Sequence, residues 1–309
     1  MKNIYKIAFL FILGIVIIQG FFFHKKYQKH IASKNEKIII LGDIGHFNKI
    51  LHTILDLCRS KLNKNDKIIL LGDNFYPNGV TGIDDKLWND FQFLFKNIDK
   101  RQIYSVLGNH DYHLNPNCQI KNNYWNTPDY YYKLNFNEHT DLFFIDTVQL
   151  FPEHCAISKN MIENVHKNDI HNLINNQILW LDNELSKSNK VNKIVFGHYP
   201  IITNGYYKNH MKPLYNMLFP IFKKHNVKAY ISGHEHNIQY IKKKENGYVL
   251  NQFIIGSSSE NRNNEYKHYS FFNMYNNKDN FFLELTYYNE TLLFDFINIK
   301  NKTVYSYTI

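Results

Sequence analysis

The chain has 309 residues, 44% of them hydrophobic and 20% charged, which supports a large domain with a buried core and excludes a disordered chain. Its 36 basic and 27 acidic residues leave a net charge of +9. The excess is carried by solvated lysines, five of them within the first 29 residues, without the basic stripe interleaved with aromatics that nucleic-acid binding uses.

The first predicted element is the uncharged apolar run over residues 7–23, IAFLFILGIVIIQGFFF, with Lys2 and Lys6 ahead of it. Such a run directs a chain into the secretory pathway, lumenal or extracellular. Its length fits a long signal peptide or a short anchor, so cleavage and membrane association through residues 7–23 are both open. With a polar linker it accounts for residues 1–36. Residues 37–309 hold no repeat of solenoid period and no internal linker, so one domain, acting as a monomer, is expected.

KIIILGDIG and, after a helical stretch near 50–62, KIILLGDN at 67–74 are continuous apolar runs ending in Gly-Asp. After a second helical stretch near 87–95, QIYSVLGN at 102–109 ends in Gly-Asn. Apolar strands alternating with helices pair in parallel, and functional groups gather beyond the carboxyl ends of such sheets. YYYKLNF and DLFFIDT predict two strands within 130–146, whereas residues 150–176, polar and rich in His and Asn, read as a surface excursion. A helix over 177–188 precedes NKIVFGHYP, and another over 211–225 precedes KAYISGHEHN. From Tyr248 onward the short strands YVLNQFIIG, FFLELTYY, TLLFDFINI and TVYSYTI suggest a second sheet packed on the first.

The three cysteines are too few for a disulfide scaffold and match no zinc spacing. Cys58, in the helical pattern LHTILDLC, is expected as a buried thiol. Cys118 and Cys155 could pair in an oxidising compartment, and both states are open.

The strand ends present, in order, Asp43, Asp73 with Tyr76, Asn109 with His110, His198, and His234 with His236. A single Gly-Asp turn or a lone histidine carries little information, but the ordered set on converging loops carries much more. Carboxylate and phenolate oxygens suit trivalent iron, and imidazole suits divalent iron, zinc or manganese. The mixed set can therefore hold two ions, with a carboxylate such as Asp73 joining them through its two oxygens. His234 and His236, two apart in a stretch that reads as extended, are expected on one face.

Taken together, GDIG, GDNFYPNG, GNHD, GHYP and GHEH resemble the signature blocks of the purple acid phosphatases within the calcineurin-like metallophosphoesterases, the small tartrate-resistant type above all. Looser similarity at LFFIDT and QILWLDNEL extends the match over about residues 37–260. The resemblance implies a four-layer α/β/β/α sandwich, two mixed sheets flanked by helices, and an acid phosphatase acting on phosphomonoester substrates. It implies Fe(III) on Asp43, Asp73, Tyr76 and His236, and a divalent metal (iron, zinc or manganese) on Asp73, Asn109, His198 and His234. Tyr76 is the diagnostic residue, because tyrosinate-to-iron charge transfer makes the family purple. Two departures stand out. Ile44 replaces the family's usual Trp, and IITNGYYKNH lacks the Glu-His pair that follows GHYP in mammalian-type members, leaving the part of His210 open.

A trivalent ion lowers the pKa of bound water further than zinc, for which the figure is about 7, so a hydroxide nucleophile persists in mild acid and an acid optimum follows. His110, directly after Asn109, is placed to protonate the departing alkoxide. His113 is a second candidate, and Asp111 either orients a histidine or caps backbone amides. A phosphodiesterase or nucleotide hydrolase on the same ions, and a metal-free membrane-anchored scaffold, are the rival readings. Sequons at Asn289 and Asn301 permit glycosylation of a lumenal domain.

Overall fold

β-branched and other aliphatic side chains suit an enclosed pleated surface, and KIIIL, KIILL and IYSV form β1 (Lys37–Leu41), β2 (Lys67–Leu71) and β3 (Ile103–Val106), buried almost throughout. The computed structural model describes residues 36–166, 170–262, 272–276, 278–288 and 290–309. The apolar run at 7–23 and the sequon at Asn289 lie outside these residues. Among them no helix is long and apolar enough to cross a membrane.

β1, β2 and β3 pair in parallel. β11 (Phe281–Tyr288), β12 (Thr291–Asn298) and β13 (Thr303–Thr308) extend this sheet antiparallel from β1, giving the order β13-β12-β11-β1-β2-β3. The second sheet runs β10-β8-β9-β7-β6-β5-β4. Its strands are β4 (Tyr132–Asn135), β5 (Thr140–Phe144), β6 (Asn192–Phe196), β7 (Ala229–Ser232), β8 (Ile238–Glu245), β9 (Tyr248–Ile255) and β10 (Phe272–Asn276). β5, β6, β7 and β9 are parallel.

One apolar cluster, including Ile40, Leu71, Phe144, Phe196, Phe253 and Leu283, joins the facing sides of the two sheets. The outer side of the first sheet is covered by α1 (Lys49–Lys61) and α2 (Leu87–Leu94), through Leu51, Ile54, Cys58, Trp88 and Phe91. The second sheet is covered by α3 (Thr147–Leu150), α4 (Ala156–His166), α5 (Ile170–Lys187) and α6 (Lys212–Lys224), through Val148, Ile162, Leu181, Leu214 and Phe222. The result is the expected four-layer α/β/β/α sandwich with two mixed sheets, and Cys58 is buried as expected.

Two expectations are corrected, and two strands are added. The strands after Tyr248 do not make a sheet of their own: β9 joins β7, whereas β11 to β13 join β1. Alternating hydrophobicity marks a strand but says nothing of which edge it pairs with, and pairing here spans most of the chain. The stretch 150–176 is not a surface excursion but mostly helical, with Ile162 inside the core; the Asn and His residues on its outer side mask the helical period. Finally, β8 and β10 were not foreseen as strands.

Candidate metal centre

Every predicted donor loop leaves the carboxyl end of a parallel strand, so the two sheets deliver their loops to one edge of the sandwich. The turns are steep. Asp43, Asp73, His234 and His236 all have left-handed backbone, with φ of 56°, 51°, 71° and 45°, a conformation that costs energy and clusters at functional sites. The GHEH stretch is thus a bend and not the extended segment read from the sequence, so the two histidines do not share a face through strand alternation. Crowding explains the glycines. A Cβ on Gly108 would stand 2.2 Å from Asp73 Oδ1, and one on Gly72 would stand 2.6 Å from the amide of Gly108.

The donors converge. The Tyr76 hydroxyl lies 3.0 Å from Asp73 Oδ2, 3.3 Å from Asp43 Oδ1 and 2.9 Å from His236 Nε2. His198 Nε2 lies 3.1 Å from Asn109 Oδ1 and 3.4 Å from Asp73 Oδ1. Two groups of three donors can each be drawn within 4.8 Å of one another: Asp73, His198 and His234, and Asp43, Asp73 and His236. Asp73 belongs to both. All seven residues are buried.

These residues fit metal ions because protons are too few for the lone pairs that meet. His198 Nδ1 donates to the Leu71 carbonyl at 2.8 Å, so in a neutral ring Nε2 carries a lone pair, and it faces the oxygens of Asn109 and Asp73. The single Tyr76 hydroxyl proton cannot serve two carboxylates and an imidazole. Burial, then the negative charge of Asp73, pushes the Asp43 carboxyl well up. On Asp73 burial also pushes upward, but its interactions with His198 and then His110 outweigh it and hold that carboxyl low. Burial drives His234 well down, as it does His236, to about 3 with help from Arg262. Neutral imidazoles beside buried carboxylates are the form in which these side chains bind cations.

Around the donors, His110 Nδ1 donates to the Pro77 carbonyl at 2.5 Å, and its Nε2 lies 4.0 Å from Asp73 Oδ2. Asp111 accepts from the amides of Gly108 at 2.8 Å and Asn74 at 3.0 Å, so it caps backbone and does not orient a histidine. His113 sits against the ring of His110, 4.8 Å away, and its Nε2 is 3.7 Å from Cys155 Sγ. Cys118 and Cys155 are both free thiols. Ile44 is fully buried in the core under α1.

Several neighbours were not foreseen. His154 Nε2 lies 2.9 Å from His234 Nε2, and its only trace in the sequence is a histidine within the polar stretch. Tyr207 stacks on His234 at 4.1 Å, on the flank where the Glu-His pair is missing. His210 stands outside it, exposed and 5.8 Å from His154. Buried Glu235 accepts from the amides of Tyr206 and Tyr207 and so fixes that wall. Arg262 donates through Nη1 to the Tyr207 hydroxyl at 3.4 Å, adding a half-buried positive charge.

The chain matches the calcineurin-like phosphoesterase family over residues 36–237. It is 32% identical to human tartrate-resistant acid phosphatase type 5 over 193 residues, an alignment that spans 57% of each chain. It is 30% identical to purple acid phosphatase 7 of Arabidopsis thaliana over 258 residues, 75% of each chain. Among solved structures, GAP50, the anchor in the inner membrane complex of Plasmodium, superposes with a TM-score of 0.72 at 24% identity, covering 89% of this chain and 88% of that one.

Proposed function

Since this chain belongs to the calcineurin-like phosphoesterase family, with acid phosphatases among its relatives, we propose that it hydrolyses phosphate monoesters in mild acid at a dinuclear metal centre. The observation that carries this reading is the pair of donor groups that share Asp73. Asp43, Asp73, Tyr76 and His236 would hold Fe(III), and Asp73, Asn109, His198 and His234 a divalent ion, iron, zinc or manganese. When bound, the two ions supply Lewis acidity toward the phosphoryl oxygens and lower the pKa of coordinated water.

The protein supplies the rest. Asp73 turns one oxygen to each donor group, and the amide of His110 donates to its Oδ1 at 2.9 Å, which fixes the carboxylate. The Pro77 carbonyl holds His110 by Nδ1, which leaves Nε2 free, 4.0 Å from Asp73 Oδ2, where it would hand a proton to the departing alkoxide. Tyr199 and Tyr207 pack against the ring of His234 and cover that flank. Arg262 adds positive charge that favours an anionic substrate. Residues 7–23 support entry into the secretory pathway.

The test is metal content, visible absorbance and turnover measured on one preparation. Two ions per chain including iron, a tyrosinate band, and faster cleavage of 4-nitrophenyl phosphate than of its bis-ester at acid pH are expected. A colourless protein that takes up no iron, or one that prefers the bis-ester, sinks the proposal.

A further inference from the structure

The imidazole of His234 is held by its backbone and by flat neighbours. Its amide donates to Asp43 Oδ2 at 2.8 Å. Tyr207 stacks on one face with an interplanar angle of 20°, and Tyr199 and His198 meet the ring edge-on at 4.6 and 5.0 Å. These contacts fix the plane of the ring. They do not distinguish it from the same ring turned by half a revolution about Cβ–Cγ, which exchanges each nitrogen for a carbon. A polar partner is needed for that.

Among the described residues, the polar group at hydrogen-bond distance from this ring is the imidazole of His154, with the two Nε2 atoms 2.9 Å apart. His154 closes the short 3-10 turn Pro152–His154 between α3 and α4. It is wedged against Phe151, Tyr199 and Tyr207, with centroids 5.5, 4.7 and 4.9 Å away. It is not among the donors that gather with Asp73 and His198. At this distance two imidazole nitrogens share one hydrogen, one ring donating and the other accepting.

We propose that His154 is a positioning residue of the centre: its Nε2 accepts the Nε2–H of His234, which fixes the tautomer and turns Nδ1 of His234 toward the cation it shares with Asp73 and His198. The role lies beyond the seven donors and rests on reading them as ligands. Leu71 performs the same service for His198 with its carbonyl, in the opposite sense, leaving Nε2 of that ring for the ion. Such outer partners typically account for 10- to 100-fold in metal affinity.

Zinc binding tests this without turnover. Metal-depleted full-length chain is titrated with zinc against a chromophoric chelator, as wild type, His154→Phe and His154→Gln. Two zinc ions per wild-type chain are expected. His154→Phe should weaken one of them by about 10- to 100-fold and leave the other unchanged, while the glutamine oxygen, which can accept the same hydrogen, restores most of the affinity. Equal weakening in both variants, or none in His154→Phe, overturns the role of His154 while the two-ion reading stands. Fewer than two ions on the wild type overturns both. Nitrogen NMR of zinc-loaded wild type decides independently of how the variants fold: His234 must be protonated at Nε2, and ligation through Nε2 overturns the proposal.

Discussion

Tyr76 brings a single hydroxyl within 3.3 Å of Asp43, Asp73 and His236, so its contribution can be isolated by removing one oxygen. Tyr76→Phe should abolish the visible absorption band while iron remains bound through the other three donors. A band that survives the substitution would remove the phenolate from the site. His110→Ala should slow alkyl phosphates by about 10²- to 10⁴-fold and 4-nitrophenyl phosphate far less, because that leaving group departs without a proton. Comparing kcat for the two substrates checks the role of Nε2. Burial works against ionising Cys155, but hydrogen bonds from His113 and Ser158 outweigh it and bring the thiol down to about 7. Alkylation by iodoacetamide at Cys155 should therefore rise through pH of about 7, while Cys58, fully buried and held far above its usual range, stays unreactive. At this scale the seven side chains that converge were legible, because each sits in a short motif that opens on a glycine. His154, Tyr207 and Arg262 were not, since no local pattern marks a residue brought to the site from a distant part of the chain.

The loops at the strand ends carry the strain of the site, and the elements beneath them hold it. Asp111, fully buried, caps the turns after both β2 and β3 by accepting from Asn74 and Gly108. Asp111→Ala leaves two buried amides without partners. At about 1–3 kcal/mol for each unmade bond, it should destabilise the fold by roughly 2–6 kcal/mol, read as a lower urea midpoint. An unchanged midpoint would mean that water or a rearranged loop serves those amides. The strand-then-turn rhythm was visible because a continuous aliphatic run ending in Gly-Asp is a local signal. The bend at His234 and His236 was misread because alternate spacing looks the same in a strand and in a turn until φ is known.

Across the whole molecule, two sheets meet at one edge, and Asp43 from one of them accepts from the amide of His234 in the other. Cations bound there would tie the sheets together and relieve the repulsion between Asp43 and Asp73. Stripping the metals should lower the melting temperature by roughly 10 °C, the equivalent of a ligand present at about 1,000 times its Kd, and readdition should restore it. A melting point indifferent to chelation would show that the donors are satisfied without ions. The sequence by itself determined the parallel strands, the turns that end them and the polar side chains those turns carry, since each follows from sterics and hydrophobicity within a few residues. The tertiary structure alone decided how the strands divide between the sheets, that the stretch 150–176 folds into helices over the second sheet, and that His154 reaches His234. Those outcomes depend on contacts between residues far apart in the chain, whose energies arise only when the layers close on one another.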